Sequence, residues 1–511
     1  MLNWFCDRRV RLTLALGSGP LAAAGFAPVS MPLCLLIGLY LLFLVAHNAK
    51  SSRESALCGW LWGIGYFATG LSWTFRSMHE FGQLPSEAAI LGLVLLACFL
   101  ALTIAAACWC ARRTPVGAVG RLAIVLPACW VLCEWVRGAA LLGFGWLSVG
   151  YAFVDWTFAA WAPILGVYGV SWIVASLVGG VAALSYCHGG PWGKAFVALY
   201  VGALGVSCVV LEDVRWSSPQ RALDVRVVQP ALPVVMRADA DTERLRVERV
   251  EAMSRRSSLG GSLDLIVWPE SVYVWPIDRM RDTVRASANV SHATGASLVM
   301  NAFAMPQPRV FLNAVWVSQD GKMPEPAYAK MHLVPFGEFV PIGFRWFVDL
   351  LGIPMADQTR GSIPERGVKI AEVETALQVC YENMFGEELR QWWTTGNPRM
   401  IVNTANLGWF APFVADQFTQ MSQMRARETA RPFIQALNNS HSALIDAQGR
   451  VQRKAWSGAQ TLDMTVSPCF GDPTPFVRFG NGLIVLLTTL FLLASVVFSR
   501  FKNKNSSERV Q

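Results

Sequence analysis

The chain has 511 residues, of which 53% are hydrophobic and only 15% are charged, and its formal net charge is +8. Soluble domains carry about 25% charged residues, so this composition excludes an ordinary soluble protein and indicates that much of the chain lies in lipid. The positive charges stand mainly in short loops beside apolar segments, which is typical of membrane orientation signals and argues against a nucleic-acid partner.

Apolar residues are concentrated in residues 10–211 and 480–499, on either side of a region of ordinary globular composition. A membrane-spanning helix needs about 20 apolar residues, and we predict about eight such spans, seven of them before residue 212. The predicted spans lie near residues 11–27, 31–47, 57–75, 88–110, 121–137, 162–186, 193–211 and 480–499. The predicted domains are a membrane domain at 1–211, an inserted soluble domain at 212–478, and a last transmembrane helix with a cytoplasmic tail at 479–511.

The distribution of basic residues predicts how these spans are oriented. Lys and Arg are concentrated in the segments that a cytoplasmic N-terminus leaves in the cytoplasm, whereas the short outer loops hold only Arg76 and Arg137. A cleaved signal peptide is the alternative for the first span, since Arg8-Arg9 precede an apolar run, but cleavage would put the basic loops on the wrong side. We therefore expect a multi-pass protein of the bacterial inner membrane, with residues 212–478 in the periplasm.

The segment 137–161 is too apolar for a water-exposed loop and too interrupted for a span. It is rich in Trp and Tyr, which favour the headgroup region of a bilayer, so we predict an interfacial segment in which Trp146 contacts lipid substrate. The Gly143-Phe144-Gly145 run lacks the third glycine of a nucleotide-binding loop and follows no predicted strand, so nucleotide binding is not expected there.

Residues 212–478 alternate between short apolar strands and helices, which predicts an α/β domain with helices covering its sheets. The predicted strands lie near residues 224–229, 263–268, 297–303, 310–318, 326–333, 376–380, 399–403, 433–438 and 442–446. The predicted helices lie near residues 243–257, 278–294, 387–393 and 415–430. In such domains the active residues are expected where strands end.

Glu270, Lys330 and Cys380 lie in this chain order at the ends of predicted apolar strands. A cysteine nucleophile needs a base, a group that stabilises the thiolate, and an oxyanion stabiliser. Glu270 can supply the base and Lys330 the positive charge, while the backbone N–H of Tyr381 can complete the oxyanion hole. Taken singly, each side chain is more often a solvated charge or part of the core, and it is their combination that favours an acyl-transfer site.

The runs that carry these residues resemble the three catalytic blocks of the nitrilase superfamily. They are Trp268-Pro269-Glu270-Ser271, Lys330-Met331-His332-Leu333-Val334-Pro335-Phe336-Gly337-Glu338 and Cys380-Tyr381-Glu382. Further runs resemble apolipoprotein N-acyltransferases, a membrane-bound family of that superfamily. They are Glu134-Trp135-Val136-Arg137-Gly138, Gly143-Phe144-Gly145-Trp146 and Trp161-Ala162-Pro163-Ile164-Leu165-Gly166-Val167-Tyr168-Gly169. The resemblance covers nearly the whole chain and implies an α/β nitrilase-like αββα sandwich beside an α-helical membrane bundle.

The resemblance implies an enzyme that moves an acyl chain from a phospholipid to Cys380 as a thioester. The chain then passes to the N-terminal α-amine of a diacylglyceryl-cysteine apolipoprotein, which completes lipoprotein maturation. Glu270 is implied as base, Lys330 as stabiliser, and Glu338 and Glu382 as residues that order the site. The expected partners are the phospholipid donor, the diacylated apolipoprotein and membrane lipid, with the enzyme acting as a monomer. We expect no cofactor or metal, because Walker, His-Glu-x-x-His and Cys-x-x-Cys motifs are absent from the sequence.

Further positions match the family and predict substrate contacts. They are Asn406, Trp409, Phe410 and Arg431. The sequence also departs from the family, because Leu407 stands where an acid is usual and the loop at 229–233 lacks a nearby tryptophan. Both substrates are diacyl lipids, so we expect them to enter from the outer leaflet, with loop aromatics at Phe344–Phe347 or Trp392-Trp393 as a lid.

Three other functions are compatible with parts of this pattern. A membrane-tethered amidase or hydrolase of the same superfamily would use water as acceptor, but eight spans exceed what a tether needs. A transporter with an outer binding module would carry charges deep in its spans, where only Glu134 is found near an outer end. An inactive scaffold would have lost Glu270, Lys330 or Cys380.

Overall fold

The structure is a computed structural model that describes residues 7–140, 143–187, 191–235, 238–257, 261–340, 343, 345–346 and 357–508. The chain divides into two compact units, one formed by residues 1–214 and 478–511 and the other by Arg215–Val477. Phe344 and Phe347, named above as aromatics of a lid, lie outside the described residues.

The first unit is helical, and the second carries three longer helices beside its sheets. The helices in chain order are α1 Arg8–Ala23, α2 Pro32–Asn48, α3 Ser52–Gly70, α4 Ser86–Arg113, α5 Leu126–Trp135, α6 Ala162–Leu184, α7 Pro191–Glu212, α8 Ala240–Ser254, α9 Arg281–Thr294, α10 Val414–Thr429 and α11 Gly482–Glu508. Shorter helical turns connect several of these helices.

Among the described residues, four helices are long and apolar enough to cross a membrane. They are Ser86–Arg113, Ala118–Ala139, Thr157–Leu184 and Gly193–Glu212. Pro32–Asn48 and Gly482–Val497 are apolar but shorter. The remaining two predicted spans correspond to α1 and α3, where Arg11 of α1 donates to Glu54 Oε1 of α3 at 2.5 Å and both side chains are buried. This pairing removes the cost of leaving a buried charge unpaired, but eight spans stay a prediction.

Hydrogen bonds of Arg137 and Glu134 hold the described part of the segment, residues 143–161, against the helix before it. Arg137 is buried and donates from Nη1 to the carbonyl oxygens of Phe144 and Trp146 at 2.7 and 2.6 Å. Glu134 Oε1 accepts from the backbone N–H of Val149 at 2.8 Å. Trp146 is 3% exposed and its indole packs against that of Trp73, and its contact with lipid stays a prediction.

The second unit contains two six-stranded sheets and one short strand pair. The strands are β1 Ser218–Pro219, β2 Leu223–Gln229, β3 Leu265–Val267, β4 Ser297–Gln307, β5 Val310–Ser318, β6 Glu325–Ala329, β7 Val368–Ile370, β8 Val373–Val379, β9 Met400–Ala405, β10 Phe433–Leu437, β11 Ala443–Ile445, β12 Val451–Lys454, β13 Gln460–Val466 and β14 Cys469–Phe470. One sheet has the order β13-β2-β3-β4-β5-β6, and the other has the order β12-β11-β10-β9-β8-β7.

The strand directions bring particular strand ends together. β2, β3 and β4 are parallel, and β6 shares their direction because it pairs antiparallel with β5, which pairs antiparallel with β4. In the other sheet β8, β9 and β10 are parallel. The carboxyl ends of parallel strands meet at one edge of a sheet, so residues that follow β3 and β6 share one edge, and residues that follow β8 and β9 share another.

The core of the first sheet explains why its strands read as nearly continuous apolar runs. Side chains of α8 and α9 pack on this sheet around fully buried Trp268, whose indole N–H donates to Ser254 Oγ at 2.8 Å. Parallel strands that are covered by helices are shielded from water, so their residues are apolar along nearly the whole strand. Trp392 is 1% exposed and its ring packs against that of Tyr328, which contradicts its assignment to an exposed lid.

The predicted strands and helices of residues 212–478 are present with shifts of a few residues at their ends. The strand predicted at 326–333 is too long, since β6 stops at Ala329 and Lys330 is the first residue beyond it. Five strands were not predicted: β1, β7, β12, β13 and β14. β12 is exposed along its whole length and carries three polar residues, so it lacks the apolar pattern by which a strand is identified.

Candidate active site

Glu270, Lys330 and Cys380 come together from three separate strand ends. Glu270 lies three residues after β3, Lys330 directly follows β6, and Cys380 directly follows β8. The Glu270 carboxyl is within hydrogen-bonding reach of the Cys380 thiol, and the charge of Lys330 acts on both. All three side chains are buried, with exposures of 7%, 1% and 8%. The structure therefore gathers an acid, an ammonium and a thiol in a site with little water.

The Glu270 carboxyl is fixed by two donors from different parts of the unit. Asn313 Nδ2 donates to Oε1 at 2.8 Å, and the backbone N–H of Asn406 donates to Oε2 at 2.9 Å. Burial raises the pKa of Glu270, and the nearby positive charge of Lys330 opposes that shift. A carboxyl with a raised pKa is a better proton acceptor than an exposed glutamate, which suits a general base.

Lys330 is held in place by its own backbone and by Glu338. Its backbone N–H donates to the Asn313 carbonyl oxygen at 2.8 Å, and its Nζ donates to Glu338 Oε1 at 2.7 Å. Burial lowers the pKa of Lys330, but the negative charges around it outweigh this effect and raise the pKa above its ordinary value. The ammonium is therefore charged while buried, which gives the site a permanent positive charge beside the thiol.

The backbone turns sharply at Cys380. This residue has φ 54°, in the left-handed region that disfavours residues with a Cβ, and it is the first residue of a short 3₁₀ turn, Cys380–Met384. The sharp turn ends β8 and points the residue out of the strand. Burial raises the pKa of the Cys380 thiol well above its ordinary value, while Lys330 acts in the opposite direction. The resting side chain is therefore a thiol that needs a base before it can attack.

Glu382 links the turn at Cys380 to the loop that follows β6. Its Oε1 accepts from Tyr328 Oη at 2.7 Å and from the backbone N–H groups of Met331 and His332 at 2.7 and 3.0 Å. Its Oε2 accepts from the backbone N–H of Val379 at 2.7 Å. Burial raises the pKa of Glu382 to about 7. The carboxyl spans the short distance between the strand ends that carry Lys330 and Cys380.

The residues expected to bind substrate fall in different places. Asn406 is at the site, where its backbone contacts Glu270 and its Oδ1 accepts from the N–H of Gly408 at 3.1 Å. Trp409 and Phe410 follow in the same loop and are half-buried. The ring of Tyr381 packs edge-on against those of His332 and Phe385. Trp146 belongs to the other compact unit.

The structure does not bring Arg431 to this site. It precedes β10, at the end of the sheet opposite to Cys380, and it is fully buried. Its guanidinium donates to the carbonyl oxygens of Pro398, Gly471 and Ala430 at 2.7, 2.7 and 3.1 Å. A side chain whose donors are used by backbone carbonyls has a structural role, so the prediction of substrate contact is corrected for Arg431.

Asn313 contacts the site and was not predicted from the sequence. It lies in the middle of β5, is 1% exposed, and its Oδ1 accepts from Asn301 Nδ2 at 2.7 Å while its own amide donates to Glu270. The available signal was an amide inside the apolar run Val310–Val317. A buried amide needs hydrogen-bond partners, and such an interruption indicates a polar group nearby.

Two family profiles match consecutive parts of the chain. The profile described as apolipoprotein N-acyltransferase N-terminal domain matches residues 18–181, in the helical unit. The profile described as carbon-nitrogen hydrolase matches residues 225–467, which contain the site described above. The α/β unit is therefore of the nitrilase-like carbon-nitrogen hydrolase type, and a helical region precedes it in the chain.

The chain is also similar over nearly its full length to bacterial apolipoprotein N-acyltransferases. It is 30% identical to that of Nitrosomonas europaea, with 95% of this chain and 96% of the relative covered. It is 33% identical to that of Bordetella bronchiseptica, with 95% and 98% covered. A solved CN-hydrolase superfamily protein of Xanthomonas campestris covers 48% of this chain and 91% of its own, at 16% identity and a TM-score of 0.37.

Replacing Arg431 tests whether its role is structural. Arg431→Met leaves several buried carbonyl oxygens without a donor, so we expect the free energy of unfolding to fall by about 2–4 kcal/mol, seen as a lower Tm of the purified protein. The rate of Cys380 acylation per folded molecule should stay unchanged, and exposed Arg366→Met serves as the control for charge removal. A large loss of acylation at unchanged Tm would contradict the structural role and would indicate that Arg431 binds substrate.

Proposed function

The chain belongs to the apolipoprotein N-acyltransferase family, and from this premise we propose that it acylates the N-terminal α-amine of a diacylglyceryl-cysteine apolipoprotein. The acyl chain comes from a phospholipid and passes through a thioester on Cys380. The observation that carries the proposal is the meeting of Glu270, Lys330 and Cys380 in one buried site. In this assignment Glu270 is the base, Lys330 stabilises negative charge, and Cys380 is the nucleophile.

The first half of the reaction forms the thioester. Glu270 takes the thiol proton, and the sulfur of Cys380 attacks the carbonyl carbon of a phospholipid acyl ester. The Lys330 ammonium and the backbone N–H of Tyr381 stabilise the oxyanion that forms. Fixed donors in a buried site stabilise developing negative charge strongly. When the ester C–O bond breaks, Glu270 returns the proton to the leaving oxygen, and a lysophospholipid departs.

The second half moves the acyl chain to nitrogen. The neutral α-amine of the lipoprotein attacks the thioester carbonyl, and the same oxyanion donors serve again. Glu270 accepts a proton from the nitrogen and delivers it to the sulfur as the C–S bond breaks. Converting an ester to a thioester changes the free energy little, and converting a thioester to an amide lowers it. The two-step reaction therefore needs no input from ATP.

Glu338 and Glu382 support this chemistry by fixing the groups that perform it. Glu338 holds the Lys330 ammonium at 2.7 Å. Glu382 ties the turn at Cys380 to the loop of Met331 and His332. We assign substrate contact to the loop of Asn406, Trp409 and Phe410, because it begins at a residue that donates to Glu270. Trp146 remains a proposed lipid contact from the helical unit.

We propose that the enzyme lies in the bacterial inner membrane as a monomer with about eight spans. Residues 1–211 form the membrane domain and 479–511 the last span and tail, while 212–478 form a periplasmic catalytic domain. The distribution of basic residues supports this orientation. We further propose that the catalytic domain is a four-layer αββα sandwich, since β2 contacts β10 and β5 contacts β8 across the two sheets.

The two outer-domain cysteines allow a direct test of the thioester. Cys380→Ala should abolish labelling by a phospholipid that carries a radioactive acyl chain, because the attacking sulfur is gone. Cys469→Ala should leave labelling unchanged, since Cys469 lies in β14 with its thiol directed at the Ser467 carbonyl oxygen. Label retained by the Cys380 variant would reject the nucleophile, and free fatty acid as the main product would favour a hydrolase.

The roles of Glu270 and Lys330 predict losses of rate and a change in pH dependence. A missing general base costs about 10²–10⁴-fold and a missing oxyanion donor about 10²–10³-fold, so Glu270→Gln and Lys330→Ala should acylate slowly while remaining folded in the membrane. The base must be ionised, and burial raises the pKa of Glu270. The acylation rate should therefore rise with pH along a limb that lies above the ordinary glutamate pKa, and Glu270→Gln should lack this limb. Near-normal rates in either variant would refute its assigned role.

Reporter fusions test the orientation. With eight spans and a cytoplasmic N-terminus, fusions after Ser52 and Gly117 should report the cytoplasm, and fusions after Ser86 and Ser257 should report the periplasm. Paired alkaline phosphatase and fluorescent-protein fusions give opposite signals on the two sides, so each position provides its own control. A cytoplasmic signal at Ser257 would overturn the periplasmic assignment of the catalytic domain.

A further inference from the structure

The left-handed backbone at Cys380 must be held by its surroundings. A residue with a Cβ is disfavoured at φ 54°, and such a conformation persists only where neighbouring contacts determine it. Part of this restraint comes from Glu382, whose carboxylate accepts from the N–H of Val379, the residue before Cys380. Another part comes from Gln378, whose Nε2 donates to the carbonyl oxygen of Glu382 at 2.9 Å. Neither contact reaches the peptide bond between Cys380 and Tyr381.

Asn403 makes that contact. It lies in β9 in register with Gln378 of the neighbouring β8, and its Nδ2 donates to the carbonyl oxygen of Cys380 at 3.0 Å. The side chain is fully buried, and its Oδ1 has no hydrogen-bond partner among the residues that the structure describes. A leucine would fill a similar space without leaving a buried acceptor unpaired. Packing alone therefore does not explain an amide at this position.

The carbonyl oxygen of Cys380 and the N–H of Tyr381 belong to one peptide group. This group is planar and trans, so its C=O and N–H point in opposite directions. A donor that fixes the oxygen on one side thereby fixes the direction of the N–H on the other side. Hydrogen bonding to the oxygen also polarises the peptide, which strengthens the N–H as a donor.

We propose that Asn403 is a positioning residue that orients the Cys380–Tyr381 peptide so that its N–H faces the oxyanion of the acyl-transfer reaction. The proposal rests on the proposed role of Cys380 as nucleophile and goes beyond it by naming the residue that orients one of the two oxyanion donors, the backbone N–H of Tyr381. The other donor is the Lys330 ammonium. Asn403 itself touches neither substrate nor sulfur in this arrangement.

Two reactions of the same sulfur separate this role from a general effect on the site. Acylation by a short-chain activated ester, p-nitrophenyl butyrate, passes through an oxyanion. Alkylation by iodoacetamide displaces iodide at a saturated carbon and forms no oxyanion. Both are measured on the purified full-length chain in detergent, by mass spectrometry of the peptide that contains Cys380.

The test variant is Asn403→Leu, with Asn403→Ala as a second variant of smaller size should leucine prevent folding. Thr404→Val is the matched control, because Thr404 is the next residue of β9, is equally buried, and has an Oγ1 without a partner among the described residues. Its side chain points to the opposite face of the strand. The control should react like the unmodified protein with both reagents.

We expect Asn403→Leu to be acylated about 10–100-fold more slowly, somewhat less than complete loss of an oxyanion donor, while its alkylation rate stays close to that of the control. The Cys380 carbonyl oxygen loses a donor in this variant, so a lower Tm is expected and both rates are measured well below it. Unchanged acylation would overturn the proposal. An equal loss in both reactions would also overturn it, since the effect would then act on the thiol and not on the oxyanion. Failure of the unmodified protein to be acylated at Cys380 would instead refute the proposed nucleophile, and the inference with it.

Discussion

The site depends on keeping ionised groups buried in a small volume without leaving any of them unpaired. Taking a carboxylate or an ammonium out of water is costly unless hydrogen bonds and opposite charges replace the water. Lys330 is 1% exposed and is neutralised by Glu338 at 2.7 Å. Glu270 receives an amide donor and a backbone donor, and Glu382 receives four donors. The dry interior then strengthens every electrostatic interaction that acts on the thiol.

The two-sheet architecture makes this charge arrangement possible. Glu270 and Lys330 leave strands of one sheet, and Cys380 leaves a strand of the other. The partners of these residues come from further strands and loops, including Asn313 in β5 and Asn406 after β9. Glu270 is therefore held by elements other than the one that carries it.

Buried polar side chains elsewhere in this unit have a different role. Arg431 has the chemistry of an anion-binding residue, yet its donors are used by backbone carbonyls near the amino ends of β9 and β10. Arg226 likewise pairs with Asp463 at 2.6 Å and reaches the Ser254 carbonyl oxygen at 2.9 Å, joining β2 to β13 and the end of α8. An arginine with five donors is well suited to joining chain segments whose carbonyls have no other partner. The contacts of Arg431 are those of a residue that stabilises the fold.

The sequence by itself determined the division into apolar and globular regions, most strands of the α/β unit, and the three ionisable residues at strand ends. These features follow from local pattern, because burial in lipid or in a sheet requires runs of apolar residues. A charged residue directly after such a run indicates where the strand ends. Only the tertiary structure decided which polar residues reach the site. Asn313 and Asn403 lie 43 and 133 residues along the chain from Glu270 and are brought close by strand pairing, whereas Arg431 is directed to the opposite end of its sheet. The reason is physical: hydrogen-bond partners are selected by distance in space, and no sequence period encodes the register between two sheets.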